Sequence, residues 1–333
     1  MANKLLPLGA LLPFLAVCAF AQTATTTPVG YVTITLPDGT KAPSQTSVYL
    51  GLTDNPTGAG VLAGKISAVG ANSFTCAGAG WTQGEFSEPA TPYIVRLTSG
   101  TATGTTWQVS TTTFNTTDTI TISDSGVNLV TLGVAANDTF EILPLDTLST
   151  LLTGELLGGE DAKTADNVQL WNGNAWVTYY YNTKRSRWER AVFNTAANNT
   201  PIRPDAGFII THRGPAKALI LTGRAPSSDL RIRFGATKDS FVGTFPYAKT
   251  LAEIGLPSTT GWASSDNASL ADKVSIWNGN AWVQYYFDGT NWRRAVFGTI
   301  SNSVQIQTAE RPILITKVNA ATQPVFLYQA KSY

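Results

Sequence analysis

His212 is the only histidine in the chain, which excludes any metal or catalytic site built on two histidines. The two cysteines, Cys18 and Cys76, form no metal-binding cluster with it. A Cys76–His212 nucleophile–base pair is compatible with the composition, but the two residues fall in different predicted domains and neither is flanked by a nucleophile signature. There is no G-x-S-x-G elbow and no glycine-rich phosphate cradle. Asp166 and Asp272 recur at the same place in two related stretches, and a single carboxylate just before a strand orders a turn more readily than it catalyses. Glycoside hydrolysis needs two carboxylates facing each other across a cleft, an arrangement that spacing along this chain does not reveal. The residues therefore point away from an enzyme, with a secreted hydrolase as the third-ranked reading, and they imply no cofactor and no metal.

The recurring stretches are Leu170-Trp171-Asn172-Gly173-Asn174-Ala175-Trp176 and Ile276-Trp277-Asn278-Gly279-Asn280-Ala281-Trp282. Asp166 and Asp272 are 106 residues apart, whereas Trp188 and Trp292 are 104 apart, so the length change falls in the loop after the Tyr-rich run. Asn-Gly tolerates the positive φ of a tight hairpin turn. Strand alternation then puts Val168, Leu170, Val177, Tyr179 and Tyr181 on one apolar face, and Val274, Ile276, Val283, Tyr285 and Phe287 on its counterpart. The opposite face mixes rings with polar side chains. A third strand is predicted over Trp188–Phe193 and again over Trp292–Phe297. The candidate contact surface is Trp171, Trp176, Tyr180 and Arg190, repeated as Trp277, Trp282, Tyr286 and Arg294, with the arginines able to stack on neighbouring rings. Three uses fit such a surface: cross-strand pairing covered by the adjacent unit, a protein–protein contact, or a platform for sugars.

Each unit opens with a segment that could form one or two helical turns, 146–152 (capped by Asp146) and 248–254. Each closes with two strands, Phe208–Thr211 with Leu219–Leu221 and Ile313–Thr316 with Val325–Leu327; Thr316 is read as the counterpart of His212. Upstream, short strands with turn signals over Val29–Leu36, Val61–Val69, Tyr93–Leu97, Thr106–Thr111, Thr119–Ser123 and Thr139–Leu143 predict a sandwich or barrel. The Thr-rich run 22–28 reads as a loose terminus or as a strand donated to a neighbouring molecule.

Charged residues make up only 14% of the chain and the net charge is +1, so no global field draws it to nucleic acid or to an anionic membrane. Lys4, the apolar run 5–20 and the Ala19-Phe20-Ala21 end predict a secretory signal over residues 1–21, placing the mature chain outside the cytoplasm. Cleavage there removes Cys18 and leaves Cys76 without an intrachain disulfide partner. No other apolar run approaches the ~20 residues of a membrane helix.

The Ala-Asp-x-Val-x-(Leu/Ile)-Trp-Asn-Gly start, the Tyr-Tyr run and the Trp-x-Arg-Ala-Val-Phe continuation recur together. With Pro28-Val29-Gly30-Tyr31-Val32, Leu97-Thr98-Ser99-Gly100-Thr101-Ala102-Thr103-Gly104 and Leu132-Gly133-Val134-Ala135-Ala136-Asn137-Asp138-Thr139-Phe140, they resemble an uncharacterised family of secreted proteins found as many paralogues in Verrucomicrobia. The resemblance implies export and a shared β-rich fold, and transfers no catalytic or binding residue. The expectation is thus a mainly β chain: signal 1–21, N-terminal β domain 22–145, and two tandem small β domains, 146–244 and 245–333. Its expected role is that of a non-enzymatic extracellular or cell-envelope protein working through contacts with copies of itself or other surface proteins, self-assembly included. Carbohydrate binding by the aromatic face is the alternative, with glycans as its partners; nucleic acid and a membrane span after signal cleavage are not expected.

Overall fold

The computed structural model describes residues 29–49, 62–124, 126–224, 229–235, 238–243, 249–278, 281–306, 312–319 and 325–329. The segment 1–21, read above as a signal, and the Thr-rich run 22–28 lie outside them. The chain is mainly β, built from antiparallel sheets with a single short α-helix, Leu148–Leu152, among the described residues. That helix is capped by Thr147 rather than Asp146: the Thr147 hydroxyl accepts from the Thr150 amide, and the Thr150 hydroxyl accepts from the Thr147 amide in return. In the second stretch, the described part of the predicted helical turn is instead a short strand, Lys249–Thr250, followed by a turn and a 3-10 helix over Leu256–Ser258.

Hydrogen bonding crosses the boundaries drawn at 145 and 244. Val29–Leu36 pairs along its whole length with Lys217–Arg224, and Ser44–Val48 pairs with Phe208–His212. Farther along the chain, Leu230–Phe234 pairs with Val325–Gln329 and Asp239–Val242 with Ile313–Thr316. Each aromatic stretch is therefore completed by two strands that precede it. Residues 62–145 sit between the first such pair and its sheet, where the second has only 243–248. The cores follow the same division. Val32, Ile34, Leu36 and Val48 pack with Leu148, Val168, Trp188, Phe208 and Leu221; a second core lies wholly within 66–142 around Phe74, Trp107 and Phe140; a third runs from Ile232 to Leu327. The second core is covered by two small sheets, one holding Leu62–Lys65, Thr139–Pro144, Tyr93–Leu97 and Thr106–Gln108, the other Ala68–Val69, Ser73–Thr75 and Thr119–Thr121.

An ion pair and a backbone hydrogen bond tie these bodies together. Arg203 is held by Asp205 and by Asp124 from the 62–145 segment (2.9 and 3.2 Å), and the Arg231 amide donates to the Gly104 carbonyl. Burial works against charge on Asp205, but Arg203 outweighs it and holds that carboxyl below the ordinary range.

Candidate contact surface

The apolar faces read from alternation are the ones that pack inward. Val168 pairs with Tyr179 and Leu170 with Val177, matched by Val274 with Tyr285 and Ile276 with Val283. Trp171 faces Trp176, and Trp277 faces Trp282, across four-residue loops. In the first loop the Asn172 carboxamide accepts from the amides of Asn174 and Ala175, and Gly173 takes φ +100°. That conformation is one that Gly adopts without the Cβ clash of other residues. Gly279 and Asn280 lie outside the described residues.

The eight candidate residues separate into three groups. The four tryptophans are half-buried and belong to one row of rings: Trp171–Trp176 at 5.3 Å, Trp176–Phe241 at 4.8 Å, Phe241–Trp282 at 5.8 Å and Trp282–Trp277 at 5.6 Å. These contacts are mostly edge-to-face, the arrangement preferred by ring quadrupoles. Phe241, from the strand that completes the second sheet, is the middle ring, and Trp171 Nε1 donates to the Asp239 carbonyl at 3.2 Å. Much of the tryptophan surface is thus spent joining the two sheets.

Tyr180 and Tyr286 are 2% and 6% exposed, too buried to touch a partner. The Tyr180 hydroxyl lies 2.9 Å from Glu189, a fully buried carboxylate that also receives Asn182, Arg185 and Arg187. Burial opposes charge on Glu189, yet the hydrogen bonds from Arg185, Arg187 and Tyr180 outweigh it and hold the carboxyl at about 2.

Arg190 and Arg294 lie opposite Tyr179 and Tyr285, so they point to the other side of the sheet from the tryptophans. The predicted third strand stops there, at Arg190 and Arg294. Asn194 N donates to Arg190 O, and Gly298 N to Arg294 O, both at 2.8 Å, closing a turn over Ala-Val-Phe. Asn194 and Gly298 take φ +50° and +64°, and Asn and Gly are the residues that tolerate this region. Val192 and Phe193 are left 70% and 67% exposed, Val296 and Phe297 75% and 69%. The guanidinium carbon of Arg190 stands 5.4 Å from the centre of the Phe193 ring, and that of Arg294 5.1 Å from Phe297. Continuing the strand to Phe193 and Phe297 hid these exposed pairs from sequence reasoning; the signal that could have found them is Asn or Gly directly after Ala-Val-Phe.

The recurring aspartates are buried anchors. Asp166 accepts from His212 Nδ1 (2.8 Å) and the amides of Leu157 and Arg213; Asp272 accepts from Lys317 Nζ and the amides of Ala263 and Val318. Register sets Thr211 opposite Asn167 and Thr316 opposite Lys273, so the counterpart of His212 is Lys317, not Thr316. His212 Nε2 lies 2.8 Å from the Pro215 carbonyl, so both ring nitrogens are engaged by the fold. Cys76 packs against the second core, whereas His212 sits beside the first. Among the described residues no three His, Cys, Asp or Glu side chains are grouped to hold a metal ion.

Comparison with protein-family models, with curated proteins and with solved structures finds no match to the chain.

Proposed function

We propose that this is a non-enzymatic extracellular or cell-envelope protein that works through contacts, with the two Val-Phe turns as the elements that make them. The observation that carries this reading is their duplication. Around the turns the two stretches differ, with Glu189 against Arg293 and Asn194 against Gly298, while Arg-Ala-Val-Phe is identical in both. Core packing accounts for keeping Trp188 and Trp292, but it gives no reason to keep exposed valine and phenylalanine. Export through the 1–21 signal, descent of the two stretches from one duplicated unit, and membership of the secreted Verrucomicrobia family belong to the same reading. Copies of the protein or another envelope component are the counterparts. Sugar binding by the tryptophan row is the weaker reading, because its rings meet edge to face and join the two sheets.

The test compares retention on isolated cell envelopes and self-association of the purified protein with those of a V192S/F193S/V296S/F297S variant. The variant should lose both or whichever the wild type shows; equal behaviour of the two proteins would falsify the role given to the turns.

A further inference from the structure

Each exposed turn carries cations as well as apolar side chains. At the first, Arg190 lies over Phe193 and Arg187 reaches the Asn194 carbonyl; at the second, Arg294 lies over Phe297 and Arg293 donates to the Gly298 carbonyl. Arg187 and Arg293 are balanced by Glu189 and Asp288, but Arg190 and Arg294 form no ion pair among the described residues. The Nε atoms of both are buried and lack a hydrogen-bond acceptor there. Each turn is thus a small apolar point with a guanidinium behind it that no carboxylate of the described residues neutralises.

Resting on the contact reading above, we infer that the two turns dock the protein on an anionic phospholipid surface, Val192-Phe193 and Val296-Phe297 entering the headgroup–acyl boundary while Arg190 and Arg294 meet lipid phosphates. Two considerations select lipid over a protein groove. A stable protein interface takes roughly 800 Å² per partner and 20–30 residues, so docking on a protein would need much surface besides the valine and phenylalanine at each turn. A bilayer requires no shaped receptor, and it rewards aromatic side chains at its interface and arginines beside its phosphates. Each point alone binds weakly, so the full affinity requires both turns to reach the same surface.

The experiment is co-sedimentation of the mature chain, residues 22–333, with vesicles of phosphatidylcholine containing phosphatidylglycerol, and with vesicles of phosphatidylcholine alone. The wild type should sediment with the anionic vesicles, less so as salt is raised. The V192S/F193S/V296S/F297S variant should partition roughly tenfold or more weakly. R190Q/R294Q should lose the preference for phosphatidylglycerol. The substituted valines and phenylalanines are exposed and the two arginines half-buried at strand ends, and unchanged circular dichroism and melting of the variants would show that the fold is intact. Wild type that ignores both vesicles, or a quadruple variant that sediments like wild type, overturns the inference. Wild type that ignores vesicles but self-associates, with the variant monomeric, overturns lipid docking and leaves the contact reading standing.

Discussion

Asp166 and Asp272 show how one residue can be read correctly for its place and incompletely for its partner. Their recurrence before a strand marked them as turn-ordering groups, and each indeed binds two backbone amides. The donor that completes the site comes from far along the chain, His212 at the end of one strand and Lys317 directly after its counterpart, and only the register reveals that equivalence. Removing one partner of a buried ion pair strands the other, so Asp272→Asn should destabilise by about 3–5 kcal/mol in denaturant titrations, and Asp166→Asn, which leaves buried donors unpaired, by about 1–3 kcal/mol. His212→Lys should retain more stability than His212→Leu; equal loss would refute the equivalence. Glu189 makes a second residue-scale test. Its carboxyl is held near 2, below the unfolded value of 4.5, so its contribution is present above that unfolded value and is lost as the pH falls through about 2. Stability measured from about pH 5 down to about pH 2 should therefore fall more steeply for wild type than for Glu189→Gln. Some slope should persist in the variant, because backbone hydrogen bonds and then Arg293 hold Asp288 at about 2 as well.

At the scale of elements, alternation and Asn-Gly turns made the aromatic hairpins legible, because period-two burial is a local property of a strand. Ser44–Val48 was missed because its Ser-Gln-Thr-Ser start hides a strand whose burial comes from a distant partner, Phe208–His212. Two glycines separate the reasons an element needs that residue. Gly298 closes the second Val-Phe turn at positive φ, with nothing within 4 Å of where a Cβ would stand. Gly298→Val should cost about 1–2 kcal/mol, a purely conformational loss, and Gly298→Asn less. Gly243 has ordinary φ, but a Cβ there would fall 1.7 Å from the Tyr49 ring. Gly243→Ala should cost about 1–3 kcal/mol by overpacking and should disturb the tryptophan fluorescence of the Trp176–Phe241–Trp282 row beside it. An alanine variant with unchanged stability and emission would show that Tyr49 moves aside freely.

For the whole molecule, the strand content was readable and the assembly of strands was not. Val29–Leu36 reads as a strand from composition alone, yet nothing in it says that its partner is Lys217–Arg224 rather than the neighbouring strands of 62–145. Loop closure disfavours long separations only slowly with length, so sequence proximity is a weak guide to pairing once a segment can be accommodated between two halves of a sheet. The arrangement makes a prediction about fragments. Residues 62–145 hold their whole core within themselves and should fold alone with a cooperative transition. Residues 146–333 lack the strands 29–48, which leaves Leu219, Leu221, Phe208 and Ile210 without Val32, Ile34, Leu36 and Val48 over them. That fragment should keep the second sheet folded and lose the first. Joining 29–49 to 146–333 through a linker no longer than 243–248, the connection used by the second sheet, should restore the missing transition. Amide exchange separates the outcomes: protection of Phe208–His212 should be absent in 146–333 and present in the joined chain. Protection in both would mean that the first sheet stands without its two preceding strands.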